Sequence, residues 1–216
     1  MARKMMKQKP LIYVFCEGES EQCYAKFLKE EFEAVAEIKY PAKTGLFDEA
    51  VCKFNKEPRY RDSIGVTDEI WFFFDVEESD HTHCDKRFQI INKLRKLRKK
   101  PNIRVRLLMT TGCIEYWFML HYQLLAPSIA SKADKERMLG MVQQKVPLYT
   151  KGDYEQTKRI AQHYSVAVQN GRKTLENLLE NGLPTLEETD ERNRWLHQSS
   201  KTFTTVQEAI QYLESL

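Results

Sequence analysis

Short apolar runs that alternate with helical patterns limit, more than any other feature, how this chain can fold. The runs are rich in β-branched and aromatic residues, as buried strands are, and lie at 11–16, 37–40, 69–74 and 103–109. Stretches with helical periodicity follow or separate them at 20–36, 45–55, 84–99 and 114–125. Because strands joined by helices run parallel with the helices on their faces, we expect an α/β fold with a mostly parallel sheet.

The pattern changes after Pro127, where helical periodicity continues without further strand signals. Helices are predicted at 131–146, 154–180 and 204–215. They are interrupted near Pro147 and across a polar stretch at 181–202. We therefore predict an α/β core over residues 1–126 and a helical C-terminal extension over residues 127–216 that packs on this core.

Composition excludes several classes of protein. With 42% hydrophobic and 30% charged residues among 216, the chain is typical of globular proteins. No apolar stretch approaches the ~20 residues that cross a bilayer, and the basic start MARKMMKQK lacks the apolar segment of a secretory signal. The five cysteines are widely spread without paired CxxC motifs, which favours reduced thiols. We expect a cytoplasmic protein with no membrane partner.

One segment concentrates positive charge, although the net charge of the chain is only +3. Residues 92–106 contain eight lysines and arginines and no acid, and such a segment attracts phosphates. The alternative is a solvated helix face. We expect this segment and the amino-terminal lysines to position a nucleic-acid strand, and Tyr149 and Tyr154 to be candidates for stacking on an unpaired base. The candidate contact residues are Lys93, Arg95, Lys96, Arg98, Lys99 and Lys100.

Acidic residues stand where the predicted strands end. Glu17 follows the first strand, and Asp75 and Glu77 follow the third. Glu115 lies in the first helical turn after the fourth strand. Ligands of open parallel sheets bind beyond the carboxyl ends of the strands. We therefore expect these four carboxylates to converge on one edge of the sheet.

A group of close carboxylates favours a bound cation. Like charges at short range raise one another's pKa unless a cation neutralises them. Mg²⁺ takes oxygen ligands of this kind, and two such ions can clamp a phosphodiester between them. Gly18, directly after Glu17, would leave room for a phosphate near the backbone. The alternative is that these acids are ordinary loop residues or charge partners of helix N-termini.

The motifs around these acids resemble those of the RloB-like family. Residues 14–21 (VFCEGESE) resemble its CEGxxTE opening motif, and residues 74–77 (FDVE) resemble its acidic DxD motif. Residues 111–121 (TGCIEYWFMLH) resemble its SNPCFExWLLLHF motif, which is the most distinctive of the set. A Tyr-x-Lys element at 149–151 and the segment at 203–206 fit two further signatures. The resemblance covers nearly the whole chain in the right order.

The resemblance implies a Toprim domain, an α/β sheet that holds Mg²⁺ (or Mn²⁺) on acidic residues and acts on nucleic-acid phosphodiesters. RloB-like proteins occur beside restriction systems and are regarded as abortive-infection, anti-phage components. Carried over to this chain, Glu17 would be a metal-linked general base or acid. Asp75, Glu77 and Glu115 would be metal ligands, with Glu115 also counted as catalytic. Lys151 would stabilise charge on the transferring phosphate.

One position departs from the family pattern, because Glu77 stands where the family has a second aspartate. The extra methylene shifts the carboxylate by roughly 1.5 Å, and the neighbouring Glu78 is the alternative ligand. His121 also leaves two interpretations open. It either orients a carboxylate or phosphate, or is packed in a buried helix.

Two functions are compatible with these motifs. The first is a metal-dependent endonuclease that cleaves RNA, with tRNA among the candidates, or DNA during phage infection. The second is a non-catalytic Toprim-like sensor or partner-binding subunit of a larger defence complex. The chain has no Walker A motif, GxxxxGK[ST], so an ATPase would have to be a partner protein. The complete set of acids favours the enzyme.

Overall fold

A parallel sheet forms the centre of the computed structural model, which describes residues 9–216. Within these residues the sheet has four strands in the order β2-β1-β3-β4, and each neighbouring pair is parallel. The α/β prediction with a mostly parallel sheet is therefore confirmed. The strands are β1 (Leu11–Cys16), β2 (Glu37–Lys39), β3 (Thr67–Val76) and β4 (Arg104–Thr111).

Helices cover both faces of the sheet, because successive side chains of each strand point to opposite faces. On β1, Ile12 and Val14 belong to one hydrophobic layer, whereas Tyr13 and Phe15 belong to the other. The helices in the described part of the chain are α1 (Glu19–Glu31), α2 (Phe47–Lys56), α3 (Pro58–Arg61), α4 (Cys84–Arg95), α5 (Ile114–Leu120), α6 (Lys132–Lys145), α7 (Tyr154–Ala161), α8 (Tyr164–Glu176), α9 (Asp190–Gln198) and α10 (Val206–Glu214).

The two layers are built by different helices. The first contains buried side chains of α1, α5, α6, α7 and α10, with the indole of Trp117 at its centre. The second contains buried side chains of α2, α3, α4 and α9, among them Phe47 and Phe88. Phe47 stacks on Phe72 of β3 with ring centroids 4.2 Å apart. Both faces are thus closed, and the sheet can open to solvent only at the ends of its strands.

The C-terminal part of the chain packs directly on the sheet. Thr204 forms an isolated antiparallel bridge with Thr110 of β4, and Thr205 N donates to Met109 O at 2.9 Å. Leu196 of α9 and Ile210 of α10 are buried in opposite layers. The division at residues 126 and 127 stays a prediction. Among residues 9–216, no helix combines the length and apolar character that crossing a membrane requires.

Three helix predictions differ from the structure. The stretch 154–180 forms two helices with a turn between them, and the helix predicted at 114–125 ends at Leu120. The polar stretch 181–202, predicted as an interruption, contains α9. Thr189 begins α9 as an N-cap, because its side chain accepts a hydrogen bond from Arg192 N. This helix reaches the carboxyl edge of the sheet, where the candidate site lies.

Candidate metal and catalytic site

The carboxyl ends of β1 and β3 form the natural ligand-binding position of this sheet. From β1 the chain proceeds to β2 on one side, and from β3 it proceeds to β4 on the other. The strand order therefore reverses between β1 and β3, which is where open α/β sheets bind ligands. Glu17 lies at this point: its N donates to Phe73 O at 3.0 Å, and its Oε2 accepts from Asp75 N at 2.9 Å. Two predicted site residues are thus directly bonded.

Asp75 and Glu115 contribute buried carboxylate oxygens. Asp75 is next to the last residue of β3 and is paired in register with Thr110 of β4. Glu115 lies in the first turn of α5 and is fully buried. Asp75 Oδ1 and Glu115 Oε2 have no hydrogen-bond partner among residues 9–216. Buried polar atoms are rarely left unpaired, so these two oxygens mark a binding position for a further group.

Glu21 is a fourth carboxylate of the site, and the sequence analysis did not assign it. It is only 4% exposed, and its Oε2 accepts from Gly18 N at 3.1 Å. A Cβ at position 18 would lie 2.9 Å from that oxygen, so Gly18 makes room for Glu21 rather than for a phosphate. Glu21 precedes Tyr24 and Leu28 by three and seven positions, on the buried face of α1. A carboxylate within an apolar stripe was the signal that could have identified it.

Glu17, Glu21, Asp75 and Glu115 together form the carboxylate cluster. Burial raises the pKa of Asp75 well above its usual value, and the charges of the other three members raise it further. Burial likewise raises the pKa of Glu21 to about 7, with the charges of Glu17 and Glu115 acting in the same direction. The pKa of Glu17, at the solvent-facing side of the cluster, is raised by partial burial. The members are therefore close enough to repel one another.

A loop after α6 contacts Glu115 from the outside. Tyr149 OH donates to Glu115 Oε1 at 3.1 Å, and Lys151 Nζ lies 3.2 Å from Oε2 as an ion pair whose geometry is not that of a hydrogen bond. Burial lowers the pKa of Lys151, but the Glu115 charge outweighs this effect and the net shift is upward. Gly152 N anchors the loop by donating to Ser20 Oγ at 3.1 Å. Tyr149 is fully buried, so its predicted role in stacking on a base is wrong.

Glu77 and Glu78 lie at the rim of the site. Glu77 forms an ion pair with Lys135 of α6, and its charge raises the pKa of Glu17. Both glutamates are exposed and border a cavity of about 230 Å³ beside the cluster. Glu77 is therefore the member of this pair whose charge reaches Glu17, and the choice of ligand between the two stays a prediction. Other residues that line the cavity are Thr111, Ser128, Ala130, Lys135, Ser199 and Ser200.

Arg87 supplies positive charge next to Glu17, and the sequence analysis did not single it out. From α4, it forms an ion pair with Asp80 and donates through Nη1 to His197 Nε2 at 2.8 Å. Because a guanidinium can only donate, His197 Nε2 must accept and the ring proton must be on Nδ1. The Arg87 charge lowers the pKa of Glu17, whereas the Asp80 charge raises it. Arg87 thus partly offsets the repulsion within the cluster.

His121 is a packed histidine of the first layer, which was one of its two interpretations. Its Nδ1 lies 2.9 Å from Trp117 O and its Nε2 lies 3.1 Å from Tyr24 OH. Nδ1 therefore carries the proton, and Nε2 accepts from the tyrosine. Burial lowers the pKa of His121 to about 3, so the ring is neutral at physiological pH. Both ring nitrogens are occupied within the core, and neither is available to orient a carboxylate of the site.

The basic segment lies at the opposite edge of the sheet from the acids. Helix α4 begins near the carboxyl end of β3 and runs back toward the amino end of β4. Arg98 Nη1 accordingly donates to Gly65 O, just before β3, at 3.2 Å. The prediction that this segment positions a strand directly at the acids is therefore wrong, because the length of the sheet separates them. Nucleic-acid contact by its lysines stays a prediction, and the amino-terminal Lys4 and Lys7 lie outside the described residues.

The chemistry of the carboxylate cluster fits a divalent cation. Within residues 9–216, no three histidine, cysteine, aspartate or glutamate side chains are spaced as a ready-made metal cage. Mg²⁺ does not require one, because it usually binds one or two carboxylates and completes its shell with water and substrate phosphates. Asp75 Oδ1 and Glu115 Oε2 are the two buried oxygens without hydrogen bonds in the cluster. A hard cation would satisfy both of them and reduce the repulsion.

The free energy of unfolding of the metal-free protein is expected to fall as the pH rises through about 7. Glu21 has an ordinary pKa of 4.5 and a folded-state pKa of about 7, so the folded protein binds more protons between these values and loses that advantage as the pH rises. Asp75 acts in the same direction. His121 and His197, with lowered pKa values, act oppositely but only below their ordinary value of 6.5.

Urea denaturation in EDTA between about pH 6.5 and 8.5 measures this dependence, because the histidine contributions are complete there. Glu21→Gln should flatten the profile, since it removes one titrating member of the cluster. Mg²⁺ should add more stability at the upper end of the range, where fewer protons compete with it. A wild-type profile that is already flat would show that these carboxylates do not repel one another in solution.

Comparison with protein families gives a match over nearly the whole chain. The model described as RloB-like protein matches residues 12–213 of 216. Neither the curated proteins nor the solved structures contain a significant match. The matched range includes all four members of the carboxylate cluster and the loop that carries Lys151. The chain therefore belongs to the family of RloB-like proteins.

Proposed function

We propose that this protein is a Mg²⁺-dependent Toprim endonuclease that cleaves phosphodiester bonds of RNA, with tRNA among the candidates, or of DNA in anti-phage defence. One observation carries the proposal. The carboxylate cluster gathers acids from the ends of β1, β3 and β4 at the topological switch point, and two of its buried oxygens lack hydrogen bonds. Such a cluster is costly unless a cation and its phosphate ligands complete it. Family membership supports the link with defence.

Each residue of the site has a distinct role in this proposal. Asp75 and Glu115 hold the cation, together with Glu17 and with Glu77 at the rim. Glu17, on the exposed side with a raised pKa, accepts a proton from the attacking water or returns one to the leaving oxygen. Lys151 remains charged and its side chain is 58% exposed, so its ammonium can contact a phosphate oxygen. When bound, the cation polarises the phosphate and offsets the charge that develops on it.

Purified protein should be incubated with end-labelled tRNA, single-stranded RNA and DNA in Mg²⁺, Mn²⁺ or EDTA. We expect cleavage that requires metal and falls by at least about 100-fold in Glu17→Gln, the scale of losing a general base. Glu19→Gln is the matched control, because it removes an exposed carboxylate two positions away and should keep full activity. Intact substrates under every metal condition would refute the nuclease.

The second candidate is a non-catalytic Toprim-like sensor or partner-binding subunit, with an ATPase among its candidate partners. The observation in its favour is that the described residues contain no preformed cage of three metal-binding side chains. This candidate predicts that the protein binds nucleic acid or a partner with the same affinity in Mg²⁺ and in EDTA and leaves every substrate intact. Metal-dependent cleavage in the assay above excludes it.

A further inference from the structure

Helix α4 and the turn after it present a row of lysines to solvent, here called the lysine ridge: Lys86, Lys93, Lys96, Lys99 and Lys100. The opposite side of α4 packs into the second layer through Phe88, Ile91 and Leu94. At 100° per residue, Lys86, Lys93 and Lys96 fall within an arc of about 80° on the exposed side. The ridge is therefore a continuous surface along the helix.

The positive residues of this segment divide into two groups. The arginines are used within the fold: Arg95 forms two hydrogen bonds with Asp190, both at 2.7 Å, and Arg98 pairs with Asp68 and donates to Pro101 O. The four lysines from Lys93 to Lys100 have no ion-pair partner among residues 9–216. Lys86 pairs with Asp48, but both side chains are more than 60% exposed, so the pair is weak. The ridge thus carries charge that the fold does not use.

One end of the ridge lies beside the candidate site. Lys86 borders a cavity of about 420 Å³ together with His83, Arg87 and Gly45. Gly45 N donates to Cys16 O at 2.8 Å, one residue before Glu17, and the Arg87 charge acts on Glu17 itself. The other end reaches the amino edge of the sheet. From position 86 to position 96 the helix rises by about 15 Å, and Lys99 and Lys100 extend the ridge further.

We propose that the lysine ridge is a track for the sugar–phosphate backbone of the substrate, which leaves the carboxylate cluster past Lys86 and follows α4 to Lys100. This inference rests on the proposed function for the identity of the occupant. A ridge of about 20 Å spans roughly six nucleotides of stacked strand at 3.4 Å each. Because lysine ammonium groups contact phosphates as point charges, the track reads no bases. The substrate is thus a nucleic acid that extends at least this far on one side of the cleaved bond.

Binding in EDTA tests the track without requiring cleavage. Fluorescence anisotropy with a labelled RNA of about 20 nucleotides should compare wild type with Lys93→Gln/Lys96→Gln over a range of salt concentrations. Two lost phosphate contacts should weaken binding about tenfold at 0.1 M salt and flatten the slope of log K against log salt by about 1.4. The matched control is Lys29→Gln/Lys173→Gln, which removes the same charge from exposed positions on α1 and α8. It should keep the wild-type slope.

Each outcome decides the proposal. A selective loss in the ridge variant supports it, and a tetranucleotide should then bind both proteins equally because it cannot reach the ridge from the site. Equal losses in both double variants would attribute the effect to net charge and overturn it, as would no loss in either. Failure of the nuclease is a separate result: wild-type protein that binds along the ridge but never cleaves would refute the endonuclease and leave the track in place.

Discussion

Asp75→Asn is expected to abolish cleavage while it stabilises the metal-free protein. In the wild type, burial and the charges of Glu21, Glu17 and Glu115 all disfavour the Asp75 carboxylate. Asparagine has nearly the same shape and removes that charge, so the repulsion is lost. The same change removes an anionic oxygen that a cation needs. Stability and activity should therefore move in opposite directions, which is typical of a residue retained for function.

We expect a loss of cleavage of about 10³-fold, the scale of removing one group that stabilises charge in the transition state. The thermal midpoint in EDTA should rise by about 2–4 °C, which corresponds to about 1 kcal/mol for a chain of this length. Calorimetry and single-turnover cleavage at saturating Mg²⁺ measure the two effects. Mg²⁺ itself should stabilise wild type more than the variant, because the variant binds it less tightly.

Asp190→Asn is the matched control for this experiment. Its carboxylate accepts two hydrogen bonds from Arg95, which lower the pKa of Asp190. Neutralising it should destabilise the protein slightly and leave cleavage unchanged. If Asp75→Asn behaved like this control, losing stability and keeping activity, then Asp75 would be an ordinary structural acid and the metal site would lie elsewhere.

The sequence predicts the parts of the site that depend on strand order along the chain. Each strand is a short apolar run, so its carboxyl end is visible as the point where the apolar residues stop. Glu17 and Asp75 stand at such points, and parallel strands bring those points together. The hydrogen bond from Asp75 N to Glu17 Oε2 is the geometric result. Glu115 was identified in the same way, one turn into the following helix.

Other parts of the site depend on packing that a linear pattern does not contain. The polarity of Glu21 suggests solvent, yet α1 turns it toward the cluster and buries it. The charge of residues 92–106 is evident, but only the direction of α4 shows that they reach the edge remote from the acids. Tyr149 resembles an exposed aromatic residue until its hydroxyl group is seen to donate to Glu115. In each case a tertiary contact decides between two equally local interpretations.

Helix α9 shows the same limit most clearly. Its segment is so polar that the sequence predicts an interruption, and yet Arg192, Asn193 and His197 are all buried. The reason is that their polar groups are satisfied inside the protein: Arg192 Nη2 donates to Glu208 Oε2 and to Asn193 Oδ1, each at 2.9 Å, and Arg192 Nη1 donates to Leu186 O at the same distance. A hydrogen-bonded network of this kind replaces the apolar stripe that would reveal a buried helix.

Arg192→Ala is accordingly expected to cost about 3–5 kcal/mol, the scale of breaking a buried ion pair by removing one partner. Glu208 would remain in place with its charge unpaired, and burial already raises its pKa. The loss should therefore be larger at pH 8 than at pH 5.5, because the raised pKa of Glu208 destabilises the folded protein as the pH rises through it. Arg194→Ala, two positions away, breaks an exposed pair with Asp85 and should cost less than about 1 kcal/mol.

A double replacement separates the unpaired charge from lost packing. Arg192→Met combined with Glu208→Leu removes both charges and keeps apolar volume, so it should recover most of the stability that Arg192→Ala loses. Urea denaturation of the four proteins measures the differences. Because α9 carries His197 against Arg87 and leads to Ser199 and Ser200 at the cavity, Arg192→Ala should also reduce cleavage, and the double variant should restore it. A double variant as unstable as Arg192→Ala would show that packing, and not the unpaired Glu208 charge, sets the cost.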